Sequence, residues 1–343
     1  MRRIRTLARI PLEAIAASGT LAAAPANDER EPLYSAMDVT ELHLFYEDLV
    51  QKLRERGVVC AITSGLACVH YGIAETTQDC DLLCHTHSSG ELLDLLSATR
   101  VSGGACRYRG NLSPPLDARW HRGGWTSHFE WGGGPDAVTL DVFGHALRES
   151  TPWEQGLLGL YAGPHTVAEM KRTNRDKDWA IVTALGVRMI EADDDRGWLH
   201  IFNADTLTEL LQDHPYPPGL AAGRPALQLA LAHDPRAAGA LNAERRFWEE
   251  LDRRRIRILE GHLRPYVAAV RQARSERALS LRDEHEARIA CAKPHLPPNP
   301  LRDYGLQRYI GEARAALVDT GLIPAGALTW LPDVTIYFEW LNR

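Results

Sequence analysis

"TTQDCDLLC", residues 76–84, sets two aspartates two positions apart inside an otherwise apolar run. The leucines and cysteines around them read as a buried strand, in which residues i and i+2 point the same way. Asp79 and Asp81 therefore share one face, and Cys80 and Leu82 the other. Two carboxylates held that close repel each other, and withdrawing them from water adds to the cost. A positive charge belongs between them.

Working outward, "DVTELHLFYEDLVQKLRERG" (38–57) has apolar residues at helical spacing, Asp38 as a cap with Glu41 three later, and Gly57 as its stop. "VVCAITSG" (58–65) reads as a short buried strand ending in a small-residue turn, and "LACVHYG" (66–72) as one or two helical turns. Beyond the aspartates, "SGELLDLLSATR" (89–100) is a second helix with Ser88 or Ser89 as its cap. "ACRYRG" (105–110), "SHFEWGG" (127–133) and "AVTLDVFG" (137–144) are strands separated by Gly- and Pro-containing turns.

This order predicts an α/β fold, a mixed-sheet core followed by a mainly helical C-terminal region. The expected organisation is a disordered leader over 1–35, the core over 36–150, a helical extension over 151–215 and a helical domain over 216–343. Residues 163–192 read as helix, and 241–292 as one or two long charged helices interrupted at Pro265. Their interleaved charges, Arg245, Arg246, Arg253, Arg254, Arg255 and Arg257 with Glu249, Glu250, Asp252 and Glu260, predict solvated faces rather than an RNA-binding stripe. The aromatic tail "LTWLPDVTIYFEWLN" (328–342) reads as core.

At 343 residues, 45% hydrophobic and 24% charged with a net charge of −6, the composition is that of a soluble globular protein. It argues against a nucleic-acid-coating protein. The six cysteines form no C-x-x-C pair. Cys80 and Cys84 with His85 and His87 alternate along a strand and its end, so free thiols in a reducing cytoplasm are expected before a zinc site. The basic, alanine-rich start is broken by Pro11 and Glu13, a poor secretory segment, and no run reaches the ~18 apolar residues of a membrane span.

A third acid, Asp141, lies in the apolar run "VTLDVFG". If its strand lies beside 78–84, three carboxylates converge, and oxygen ligands of this kind suit Mg2+ or Mn2+. The turn Ser64–Gly65 offers a hydroxyl and a close backbone approach for phosphate. Each piece alone has an ordinary structural reading, as a turn, a surface edge or, for Lys171, Arg175 and Asp178 on one helix face, a solvated salt-bridge row.

Together, "ITSG", "YGIAETTQDCDLL" and "TLDVFG" resemble the nucleotidyltransferase superfamily related to DNA polymerase beta. "EMKRTNRDKDWAIVTALG" (169–186) resembles the basic helix of minimal nucleotidyltransferases, particularly the AbiEii-type toxin branch. The resemblance covers roughly residues 40–190. It departs from that branch at Glu75, where relatives carry arginine, and at Ile181, where they carry aspartate. It implies that Asp79, Asp81 and Asp141 are the catalytic, metal-binding acids. It places Ser64 and Gly65 at the phosphate-holding turn, and Lys171, Arg175 and Lys177 on the nucleotide or acceptor side, with Asp178 beside them.

The implied reaction transfers a nucleoside monophosphate from an NTP to an acceptor hydroxyl on RNA, a protein or a small molecule. Two Mg2+ or Mn2+ ions are expected, with an antitoxin-type protein as a further partner and a cytoplasmic setting. A nucleotide-binding protein without turnover, or a metal-dependent phosphohydrolase, would use the same acids.

Overall fold

Alternation of side chains across six strands decides the architecture. The computed structural model describes residues 39–77, 79–134, 137–149, 153, 159–273 and 279–342, all within one compact unit. The expected leader, the Asp38 cap and Gln78 lie outside the described residues. Helix α1 (Val39–Glu55) is followed by β1 (Cys60–Thr63), α2 (Ser64–His70), β2 (Asp79–Cys84) and α3 (Ser89–Ala98). Then come β3 (Arg100–Val101), β4 (Gly104–Tyr108), α4 (Ala118–His121), β5 (Thr126–Trp131) and β6 (Val138–Phe143). The strands form a mixed sheet in the order β1-β2-β6-β5-β4-β3, in which β2 and β6 are parallel and the other neighbours antiparallel.

One face of this sheet is apolar. Ile62, Cys80, Leu82, Leu140, Val142, Phe129, Trp131 and Tyr108 are all buried there, with Leu49 and Leu53 of α1 and Leu92 and Leu96 of α3 in the same core. Each such side chain taken from water contributes roughly 1.5–3 kcal/mol before ordering costs are met. The opposite face carries Thr63, Asp81, Asp141 and His128 in register across β1, β2, β6 and β5. Residues 160–162 cover the free edge of β1: Ile62 N donates to Leu160 O at 2.9 Å, and Ala162 N to Ile62 O at 2.8 Å.

The local signals fall into two groups. Gly57 ends α1 with φ of +78°, a conformation glycine adopts without steric cost. Neither Ser88 nor Ser89 caps α3 through its side chain; the Ser89 hydroxyl bonds back to Thr86 O at 2.9 Å instead.

The mainly helical remainder comprises α5 (Pro164–Met170), α6 (Asp176–Glu191), α7 (Ala204–Asp213), α8 (Pro218–Gly223), α9 (Pro225–Leu231), α10 (Ala237–Ala273), α11 (Leu281–His295), α12 (Pro300–Tyr304) and α13 (Leu306–Asp319), followed by 3₁₀ turns at Ala325–Trp330 and Thr335–Asn342. The expected continuous helix over 163–192 is two helices, with a turn at 171–175 between them. The expected interruption at Pro265 is absent: α10 runs through it. Pro265 and Gly261, whose carbonyl loses its i+4 donor, both lie on the exposed side, while Tyr266, Val267 and Val270 anchor the helix through the buried side.

Glu260 of α10 is exposed as its spacing suggested, but the other acids of the helix are not. Glu244, Glu249, Glu250 and Asp252 are buried, each roofed by arginines. Asp252 Oδ1 lies 3.1 Å from Arg255 and 3.2 Å from the buried Arg148, and Arg224 meets Glu244 at 2.8 Å. The aromatic tail is core: Leu331, Val334, Phe338, Trp340 and Leu341 pack with Phe247, Trp248 and Tyr309.

Candidate functional site

The turn that ends β1 comes first. Ser64 opens α2 with φ of +56°, a left-handed conformation that a non-glycine residue adopts at a cost. Its hydroxyl lies near enough to the carboxyl of Asp81 to favour the ionised form. Gly65 follows, and a Cβ there would stand 2.9 Å from Thr77 Oγ1. That same hydroxyl donates to Asp79 Oδ1 at 2.6 Å, and the Thr77 carbonyl accepts from His43 Nε2 of α1 at 3.3 Å. The small-residue turn and the first aspartate are thus mechanically linked through Thr77.

The parallel pair of strands sets the acids side by side. Asp81 and Asp141 are register partners on β2 and β6, and Asp79 lies on the same face two residues earlier. Asp79 is exposed, while Asp81 and Asp141 are half-buried. Loss of solvent pushes Asp81 up to about 6; the Ser64 hydroxyl and the Lys171 ammonium pull it back, and Asp141 and Asp79 add to the rise. Such a carboxylate gains by acquiring a cation.

Each acid has its own surroundings: the Thr77 hydroxyl on Asp79, the Ser64 hydroxyl and Lys171 ammonium near Asp81, and two basic groups on Asp141. Arg109 Nη2 lies 2.7 and 3.0 Å from the two Asp141 oxygens, and His128 Nδ1 lies 2.9 Å from Oδ1. The three carboxylates therefore share a face without closing on one point. Arg109 and His128 are site residues that the sequence does not single out. Alternation in "SHFEWGG" gives His128 a face, but nothing local says that this face is the one bearing Asp141.

The basic residues sort differently from one continuous helix. Lys171 ends α5, Arg175 precedes α6, and the buried Asp178 gathers both, at 3.7 Å and 2.7 Å. The ion-pair reading of this row is right, but the row is not solvated, because Lys171 and Asp178 are both buried. Asp252 of α10 holds the intervening turn by accepting from Asn174 N at 3.0 Å. Lys177 is exposed on the first turn of α6.

A second cluster lies beneath this turn. His165, Glu169 and His200 are buried and present three ligand atoms within 4.8 Å of one another, a group able to hold a divalent cation. Among the described residues it is the one such set of three; Cys80, Cys84, His85 and His87 do not form one, and all six cysteines are free thiols. Burial pushes His165 down to about 3 and Glu169 up to about 7. The Arg172 guanidinium sits against the same group. Its Nη2 lies 3.1 Å from Glu169 Oε1 and 3.2 Å from His200 Nδ1, and the rings of Phe202, Trp248 and Tyr337 surround it at 5.0–5.6 Å.

Among the described residues no helix is long and apolar enough to cross a membrane. Comparison of the chain with protein-family models, with curated proteins and with solved structures finds no match.

Proposed function

We propose that this chain is a metal-dependent nucleotidyltransferase, moving a nucleoside monophosphate from an NTP to an acceptor hydroxyl. The observation that carries the reading is the register of Asp81 with Asp141 on the parallel β2–β6 pair, with Asp79 on the same face and the Ser64 hydroxyl near Asp81. The fit to a cation is chemical: three carboxylates on one face, one of them raised by burial, form a hard oxygen donor set suited to Mg2+ or Mn2+. When bound, such ions would supply Lewis-acid stabilisation of charge on phosphoryl oxygens.

The remaining work falls to the chain's own groups. Asp79, Asp81 and Asp141 would hold the ions, and Asp141 would take the acceptor proton. Ser64 would offer its hydroxyl, and Gly65 its backbone N–H, to phosphate. Lys171, fixed by Asp178, places positive charge near Asp81, while Arg175 and Lys177 are exposed and would meet the charge of a leaving pyrophosphate or an acceptor.

The engagement of Asp141 by Arg109 and His128 favours a second reading, nucleotide binding without turnover. One experiment separates them. Full-length protein is incubated with Mg2+ or Mn2+, each alpha-labelled NTP in turn, and total RNA, with Asp79→Ala/Asp81→Ala as control. Label on RNA or on the protein, lost in the control, is the expected result. NTP binding without label supports the second reading, and release of nucleoside and phosphate without an acceptor supports a phosphohydrolase.

A further inference from the structure

Arg109 stands immediately after β4, and its backbone N–H bonds His128 O of β5 at 2.9 Å, which fixes its Cα beside His128, itself the register partner of Asp141 on β6. The guanidinium contacts Asp141 and His128 through Nη2, reaching both carboxylate oxygens. The Arg109 side chain is 36% exposed and that of Asp141 24%. The pair is therefore reachable from solvent, unlike the locked Arg148–Asp252 pair, of which each side chain is 3% exposed. A half-exposed ion pair costs little to open.

On the reading given above, Asp141 is needed as an oxygen ligand, yet its two oxygens are taken by a cation the chain itself supplies. We propose that Arg109 is an exchangeable counter-ion: it holds Asp141 while the site has no substrate, and passes to a substrate phosphate when the acids take up metal. The exchange keeps the guanidinium paired with an anion at each stage. The three carboxylates and Arg109 coexist at rest, and in the loaded site the ions neutralise the acids while the freed guanidinium meets phosphate, the anion its planar fork fits best. The inference rests on the nucleotidyltransferase reading and adds a residue to it.

This assignment predicts effects of opposite sign in one variant. The measurement is Mn2+ binding to the full-length protein, followed as loss of the free-Mn2+ spin-resonance signal, first with Mn2+ alone and then with inorganic tripolyphosphate as a base-independent phosphate probe. Arg109→Ala is expected to bind Mn2+ alone about tenfold more tightly, because the competing cation is gone. The same variant is expected to bind Mn2+–tripolyphosphate about tenfold more weakly than wild type, because the phosphate partner is gone. Arg109→Lys, which keeps the charge, should stay near wild type with Mn2+ alone.

Arg109→Gln, similar in length, guards against a folding defect: a shared melting temperature with wild type and the same two shifts support the exchange. If Mn2+ affinity is unchanged or lower in both neutral variants, Arg109 is a fixed buttress and the exchange is wrong. Should wild type bind no Mn2+ that Asp79→Asn/Asp81→Asn abolishes, the underlying metal-site reading fails, whatever Arg109 does.

Discussion

Asp178 meets Arg175 Nη2 at 2.7 Å while its other oxygen lies 3.7 Å from Lys171, so one buried acid sets the position of two basic side chains. The Thr173 hydroxyl donates at 2.5 Å to the oxygen that meets Arg175, and so fixes the carboxylate between the two cations.

Removing that acid leaves Lys171 buried without its counter-charge. Asp178→Ala is expected to destabilise the protein by ~3 kcal/mol, as breaking one side of a buried pair does. Asp178→Asn, which keeps the Thr173 bond, should lose less. Urea denaturation at pH 7 measures both, and equal stability of Asp178→Ala and wild type would remove the pair from the account.

An ionised Asp81 costs the fold stability. Its folded-state pKa of about 6 lies above the ordinary carboxyl value of 3.8. The folded chain therefore holds the proton more tightly, and this contribution is full below about pH 4 and lost as pH rises through about 6. In metal-free buffer at pH 8, Asp81→Asn should gain ~1–3 kcal/mol over wild type while losing Mn2+ binding. Melting in EDTA at pH 4 and pH 8 checks it: the advantage of the variant must appear at the higher pH alone.

His121 acts in the opposite sense. It is buried against Ser127, whose hydroxyl donates to Pro114 O and so accepts from His121 Nε2 at 2.8 Å. Burial, with His145 and His128 nearby, lowers its pKa to about 3. The neutral ring's contribution is complete above pH 6.5 and fades as pH falls toward 3, by up to ~4 kcal/mol. His121→Gln should flatten the melting temperature over that window relative to wild type. A variant as acid-sensitive as wild type would show that another group governs the loss.

Gly65→Ala tests the link through Thr77. The added methyl would meet Thr77 Oγ1 at 2.9 Å and push it from Asp79. A loss of ~1–2 kcal/mol is expected, together with several-fold weaker Mn2+ binding. In a Thr77→Ala background the same change should cost much less, so a double-mutant cycle on stability should give coupling of ~1 kcal/mol. Additive losses would mean that the two residues do not communicate.

The strands that carry Asp79, Asp81 and Asp141 were readable because period-two alternation is local, and Ile62, Cys80, Leu82, Leu140 and Val142 all obey it. Register is not local. That β2 lies parallel to β6, with Asp81 opposite Asp141 and His128 beyond, depends on pairings across about sixty residues. Arg109 was invisible for the same reason. The charged run of α10 misled because spacing alone does not say which side of a helix meets another element; Arg148 and Arg224, which meet the buried Asp252 and Glu244, lie outside the helix. Pro265 misled because its missing donor matters only where water cannot replace it.

Arg148 follows the last strand of the sheet, yet its guanidinium is neutralised by Asp252 of α10, and Trp340 near the chain's end donates to Leu147 O at 3.1 Å. A fragment ending near residue 215 would keep every acid of the site and lose these partners, stranding a buried cation and an open seam. The sheet is thus no portable cassette: grafted or expressed alone, it should be recovered as aggregate, and the helical half has to be inherited with it.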